Sequence, residues 1–301
     1  MTTVVAALGG NALLRRGEPL DPALQQHNIT IAAAELAKLA SHGALVVTHG
    51  NGPQVGLLAL QSETTPDTMR FPLDVLDAES EGMIGYLVEQ QLRNDLVDRE
   101  VVTLLTQVEV STDDAAFARP TKPIGPIYTE ARARQLARER GWTVAPDGDS
   151  YRRVVASPEP LAIVELAAVR ALLAAGCVVI CGGGGGIPVR RTREGLLGVE
   201  AVIDKDATSA LLAELLGADV LLLLTDVDAV YEGFGTPAAR PIHATTVDEL
   251  LSSPLAAGSM APKVAAACRF VRRTGRRAVI GRLEDAVDLA AGLGGTQISP
   301  G

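Results

Sequence analysis

Of the 27 basic residues in this chain only four are lysine: Lys38, Lys122, Lys205 and Lys263. Arginine serves nearly everywhere else. A lysine ammonium is a compact, rotatable point charge, whereas a guanidinium is a rigid planar fork. Lysines kept against such a bias mark places where a point charge is wanted. Lys38 sits in the alanine-rich helical stretch 31–40 and reads as an ordinary surface residue. The other three have unusual surroundings: Pro-Thr-Lys-Pro-Ile-Gly around Lys122, Ile-Asp-Lys-Asp around Lys205, and Gly-Ser-Met-Ala-Pro-Lys ending at Lys263. Lys263 follows Pro262 at an expected helix start, where an ammonium can share an anion with the helix end. Lys122 lies between prolines in a segment that a mobile flap could carry inward. Asp206 fits a helix N-cap, and can also orient neighbouring lysines and keep them charged.

Three glycine turns accompany the lysines: Gly9-Gly10-Asn11, Gly50-Asn51-Gly52 and the run of five from 182 to 186, which includes Gly184 and Gly185. Glycine lets the backbone approach an anion closely, and a following helix offers free N–H groups. One such turn is weak evidence, whereas three point to a phosphate-bearing ligand. No glycine stretch ends in Gly-Lys-Ser or Gly-Lys-Thr, which excludes a P-loop, and a dinucleotide fingerprint is weak. His27, His42, His49 and His243 have no metal-ligand spacing, and His49 reads as a turn residue rather than a general base. No Gly-x-Ser-x-Gly elbow occurs.

These turns must be held by something regular. Short apolar runs at 4–8, 44–47, 101–105, 178–180, 220–224 and 278–280 each end in glycine or a polar turn. Runs apolar at every position read as strands buried on both faces, hence a parallel sheet. Helices are expected at about 26–41, 83–97, 129–140, 161–175, 207–216 and 262–274, with Gly176 and Gly217 as C-terminal residues. The fold class is therefore α/β, a helix-covered and mainly parallel open sheet, with ligands at the carboxyl ends of the strands. Residues 117–157 break the rhythm with four prolines, a charged helix and the only tryptophan, Trp142. They read as an inserted small subdomain.

Composition narrows the classes. At 301 residues, 47% apolar, the chain can bury a large core. A net charge of −9 and the lack of a basic stripe argue against nucleic acid. An odd count of three cysteines argues against a disulfide framework, and Cys177 and Cys181 read as small core residues. No run of 18 apolar residues suggests a membrane span. The first 14 residues lack a positive stretch and are broken by Gly9-Gly10-Asn11, unlike a signal peptide. A cytoplasmic protein is the expectation.

Taken in order, the motifs resemble the amino acid kinase superfamily and, within it, the carbamate kinases. The resemblance runs through Ala7 to Ala12, Thr48 to Gly56, Pro120 to Pro126, Cys181 to Val189, Gly198 to Asp206, Leu224 to Tyr231 and Gly258 to Lys263. The His49, Lys122 and Val199-to-Asp206 blocks are its more specific parts. One departure is Gly182, where the family often has Ser or Cys, a change expected to loosen the loop slightly.

The resemblance implies one αβα sandwich domain over 1–301, dimeric, with a protruding subdomain near 118–156. It implies reversible phosphoryl transfer between ATP and carbamate, usually run toward ATP in arginine catabolism, with Mg²⁺ carried by the nucleotide and no dedicated metal ligands. Lys205 and Lys263 would neutralise the transferring group, Asp206 would organise them, and Lys122 would reach in. Gly9, Gly10, Asn11, Gly50, Asn51 and Gly52, with Gly184 and Gly185, would hold carbamate and phosphate. Thr225, Asp226, Val227, Tyr231 and Met260 would lie near the nucleotide. Two rivals stand beside this reading. One is a kinase of another small carboxylate, with Arg153 or Arg190 holding a second carboxylate. The other is a nucleotide-binding regulator without turnover.

Overall fold

A computed structural model describes residues 2–14, 21–62, 70–253 and 260–301, without the side chains of Asn11 and Ala12. The central sheet has eight strands, in the order Ala244–Thr246, Thr296–Ser299, Arg277–Arg282, Val220–Thr225, Thr2–Leu8, Gly43–His49, Val178–Ile180 and Val101–Thr103. All six apolar runs supply strands of it, the run 101–105 only through Val101–Thr103, and these six strands are parallel to one another. The strand 296–299 runs antiparallel to 277–282 and pairs in parallel with 244–246, so this edge reverses direction.

The parallel strands are apolar along their central residues because both faces are covered. Along the first strand Val5 and Ala7 join one buried cluster, with Leu221, Leu223 and Phe270. Val4, Ala6 and Leu8 join another, with Ile29, Leu36 and Leu222. The helices Lys205–Leu216 and Met260–Thr274 supply the first face. Pro22–Ala40 and the inner residues of Leu73–Asp95 supply the second. This is a three-layer αβα sandwich. Phe270 is fully buried; removing such a side chain from water contributes roughly 1.5–3 kcal/mol, and here it fastens the helix that carries Lys263.

Two boundaries differ from the sequence reading. The helix expected at 83–97 begins at Leu73, after Pro72. Its first three turns bury Asp77, Ser80 and Glu81, which dilute the apolar period. The stretch read as helix from 161 opens with a strand, Pro160–Ile163, and the helix is Leu166–Ala174. A second sheet, ordered 195–198, 187–192, 107–110 and 160–163, stands beside the main one. Residues 122–128, 143–147 and 150–155 form their own three-stranded sheet, against which the helix Glu130–Arg140 packs through Ala133 and Leu136. Arg140 and Arg153 both lie over the Trp142 ring, at 5.2 and 5.0 Å from its centroid.

Candidate functional site

The carboxyl ends of the parallel strands bring the glycine turns together. A Cβ added to Gly9 would meet the Leu224 carbonyl oxygen at 2.8 Å, and one on Gly50 would meet the Gly10 backbone at 3.2–3.3 Å. The two turns therefore stack backbone on backbone, an approach only glycine permits. The Gly9 N–H donates to the Leu224 carbonyl (2.9 Å) and the Gly50 N–H to the Leu8 carbonyl (3.2 Å). Gly10 and Gly52 begin the helices Gly10–Leu13 and Gly52–Ser62. A Cβ on either would meet nothing within 4 Å.

The run 182–186 is a close-packing device. Added Cβ atoms would fall 2.3 Å from His49 Cε1 at Gly183, 2.1 Å from Asn51 Nδ2 at Gly184 and 2.3 Å from the Ile203 carbonyl oxygen at Gly185. Gly182, Gly184, Gly185 and Gly186 also have φ between +62° and +104°, a region in which side chains are strained. Gly182 is pinned, its N–H donating to Thr106 Oγ1 at 2.8 Å. The run thus ties the 49–52 turn to the segment entering the lysine helix.

At the start of that helix stand the charges. The N-cap is Asp204 rather than Asp206: its Oδ1 accepts the N–H groups of Asp206 (2.9 Å) and Ala207 (3.2 Å). Asp206 is in the first turn, and its side chain is given to the lysines. One oxygen lies 2.7 Å from Lys205 Nζ and the other 3.0 Å from Lys263 Nζ. Lys122 reaches the same helix end from the small sheet, with Nζ 2.6 Å from Asp204 Oδ2. Lys38, as expected, pairs only with Glu35 on the surface of its own helix.

Burial would push the Asp206 carboxyl up, but the Lys205 and Lys263 ammonium groups overcome this and hold it well below the usual carboxylate range. Burial lowers the Lys205 ammonium, which Asp206 opposes and Lys263 reinforces. The two directions conflict, since the first favours the charged pair and the second opposes it. With the oxygens at 2.7 and 3.0 Å from two ammonium groups, the charged arrangement prevails. Lys205 Nζ has no partner aligned for a hydrogen bond, so its contact with Asp206 is an ion pair with N–H donors left to give. Asp204 is also lowered: burial raises it and the Lys122 charge overcomes burial.

His49 is buried, and its Nδ1 lies 3.2 Å from the Gly50 carbonyl. Burial, with a smaller contribution from nearby Lys205, drives its pKa down to about 4. It is therefore a neutral structural ring, the role its sequence context suggested.

The expected nucleotide residues follow the neighbouring strand. Thr225 ends Val220–Thr225 beside Gly9 and donates to Asp226 Oδ1 at 3.1 Å. Val227 comes next. Tyr231, on Val230–Glu232, donates to Asp228 at 2.9 Å and meets the Phe234 ring edge-on. Met260 begins the Lys263 helix; Gly258 and Ser259 of the last motif lie outside the described residues. Arg190 is exposed on Ile187–Thr192, and Arg153 lies over Trp142.

Three residues missed in the sequence support the site from helix 73–95. Asn51 Nδ2 donates to Ser80 Oγ at 2.8 Å and approaches Asp77 Oδ1 at 3.5 Å. Glu81 accepts the Gly183 and Thr106 N–H groups. The available signal was polar residues at 77, 80 and 81 on the face defined by Leu73, Leu76, Ile84 and Val88. Desolvation raises both acids, Glu81 to about 8 and Asp77 well above its ordinary value.

Three point cations, two carboxylates and backbone N–H groups around glycine suit a multiply charged, transferring oxyanion. The comparisons agree. The amino acid kinase family matches residues 2–282. A carbamate kinase of Haemophilus influenzae is 52% identical over 299 residues, covering 98% of this chain and 96% of its own. One from Escherichia coli K12 is 51% identical, covering 99% and 100%. The structure of a Giardia lamblia carbamate kinase bound to AMP-PNP superposes with a TM-score of 0.90 at 40% identity, covering 100% of this chain and 99% of that one. A likeness to an N-acetylglutamate synthase of Neisseria gonorrhoeae, at 18% identity and a TM-score of 0.60, reflects the fold alone. The chain belongs to the amino acid kinase family and, within it, to the carbamate kinases.

Proposed function

We propose that Lys205, Lys263 and Lys122 surround the phosphoryl group as it passes between ADP and carbamate, and that Asp206 sets the first two. Toward ATP, a β-phosphate oxygen of ADP forms a bond to the phosphorus of carbamoyl phosphate. The bond from phosphorus to the carbamate oxygen breaks, and carbamate leaves with its electron pair. The attacking oxygen carries no proton at neutral pH, so no general base is needed. Catalysis is positioning and charge neutralisation. Gly9, Gly10, Asn11, Gly50, Asn51 and Gly52 hold carbamate and phosphate, and Gly184 and Gly185 support them. Thr225, Asp226, Val227, Tyr231 and Met260 face the nucleotide, in keeping with the AMP-PNP held by the Giardia relative. Mg²⁺ arrives on the nucleotide and shares the neutralisation. The protein acts as a cytoplasmic homodimer making ATP in arginine catabolism, and the small sheet around 118–156 delivers Lys122.

The observation that carries this reading is the single buried carboxylate of Asp206 between two ammonium groups at 2.7 and 3.0 Å. The test is ATP formation from ADP, Mg²⁺ and carbamoyl phosphate by the purified protein, with acetyl phosphate as control. Rapid synthesis dependent on carbamoyl phosphate and lost in Lys205→Ala supports it. Nucleotide binding without turnover would overturn it in favour of a regulator.

A further inference from the structure

Glu81 is a buried carboxylate that the phosphoryl-transfer scheme leaves unused. It is 1% exposed, at the centre of the helix Leu73–Asp95. Oε1 accepts the Gly183 N–H at 2.9 Å and Oε2 the Thr106 N–H at 3.1 Å. Both donors belong to segments that leave neighbouring sheet strands, and Glu81 ties them to one helix. Thr106 in turn holds the Gly182 N–H.

What Glu81 fixes is passed on by contact. Gly183 abuts the His49 ring and Gly184 abuts Asn51 so tightly that neither tolerates a Cβ. The Gly185 carbonyl accepts Thr208 Oγ1 at 2.7 Å, one turn into the helix that begins with Lys205. Ser209, on the same helix, shares a 2.7 Å hydrogen bond with Thr48. Ser80, the residue before Glu81, and Asp77, one turn before it, hold Asn51 directly. The glycine run is thus a wedge between the 49–52 turn and the Lys205 helix, and Glu81 is the side chain that seats it.

We infer that Glu81 is a positioning residue for phosphoryl transfer, setting through the Gly182–Gly186 run the distance between the 50–52 turn and Lys205. The inference rests on the reading that these two elements grip the same substrate. A carboxyl group suits the task because its two oxygens can accept two N–H groups at once. Gln keeps the shape but exchanges one acceptor for a donor, setting NH₂ against a backbone N–H. The misfit alters alignment more than binding, and small misplacements are felt mainly in the rate.

The experiment compares wild type, Glu81→Gln, Glu81→Asp and Thr106→Val by steady-state kinetics in the ATP-forming direction, with kcat and each KM measured across pH 6–9, beside thermal melting. The expected result for Glu81→Gln is a kcat at least tenfold lower with the KM for ADP unchanged within twofold. Glu81→Asp recovers part of that loss. Because burial lifts the Glu81 carboxyl to about 8, any inflection in kcat that it causes within this range disappears in Glu81→Gln. Should Glu81→Gln not fold, Thr106→Val, which removes the hydroxyl that accepts the Gly182 N–H and donates to the Leu104 carbonyl while keeping the Thr106 N–H, is expected to show the same kcat-selective loss. Variants that melt lower yet match wild-type kcat below their transition would overturn the inference. A wild type that forms no ATP would refute the functional reading instead, so the two failures are distinguishable.

Discussion

Replacing Asp206 with asparagine tests the lysine cluster most directly. The substitution keeps the shape and removes one charge from between two ammonium groups. At an effective dielectric of ~20, charges separated by 2.7 and 3.0 Å attract by about 6 kcal/mol each. If only a third of the Lys205 interaction survives relaxation and water entry, ~2 kcal/mol is lost. That disfavours the charged form of Lys205 by about 30-fold, at 1.36 kcal/mol per factor of ten. The sign follows from the charge: without the carboxylate, burial and Lys263 both act to lower Lys205. The ammonium therefore loses its proton at lower pH. The alkaline limb of kcat/KM for carbamoyl phosphate is expected to shift toward acid, and activity at low pH to survive in part. Breaking a buried pair also destabilises by about 3–5 kcal/mol, so a lower melting temperature accompanies the shift. The assay is coupled ATP formation over pH 5.5–10, with stability checked at each pH. An alkaline limb in its wild-type position, with kcat/KM within threefold, would refute the assignment of Asp206 as the group that keeps Lys205 charged.

Other changes probe shape rather than charge. Lys205→Arg keeps the cation but replaces a point charge with a planar fork in a buried site. A loss on the order of 10³-fold in kcat is expected, and near-normal turnover would remove Lys205 from the mechanism. Gly185→Ala places a Cβ 2.3 Å from the Ile203 carbonyl at φ +104°. Strain and overpacking together are expected to cost ~2–5 kcal/mol, read as a lower urea midpoint; an unchanged midpoint would contradict the packing role of that glycine.

The sequence by itself determined much of this protein. Six short apolar runs, such as 4–8 and 220–224, have one stable use, as strands covered on both faces. All six supply strands of the main sheet. The scarcity of lysine marked Lys122, Lys205 and Lys263 as special, because an unusual residue choice shows without coordinates. The edge strands 244–246 and 296–299 and most of the second sheet escaped because three- and four-residue strands carry little pattern; Gln107–Val110 does alternate buried valines with more exposed Gln107 and Glu109.

Only tertiary structure decided what the polar residues near the site do. Asp204 and Asp206 are one residue apart and chemically alike, yet one caps the helix and binds Lys122 while the other bridges Lys205 and Lys263. Their roles depend on lysines 82 and 57 residues away in the chain. The spacing of Asp77, Ser80 and Glu81 does not show what they hold, because their partners lie far along the chain. In the fold their partners are Asn51, Thr106 and Gly183, brought from three separate strand ends. Hydrophobic periodicity is local and can be read along the chain, whereas a buried polar group is explained only by partners that folding delivers.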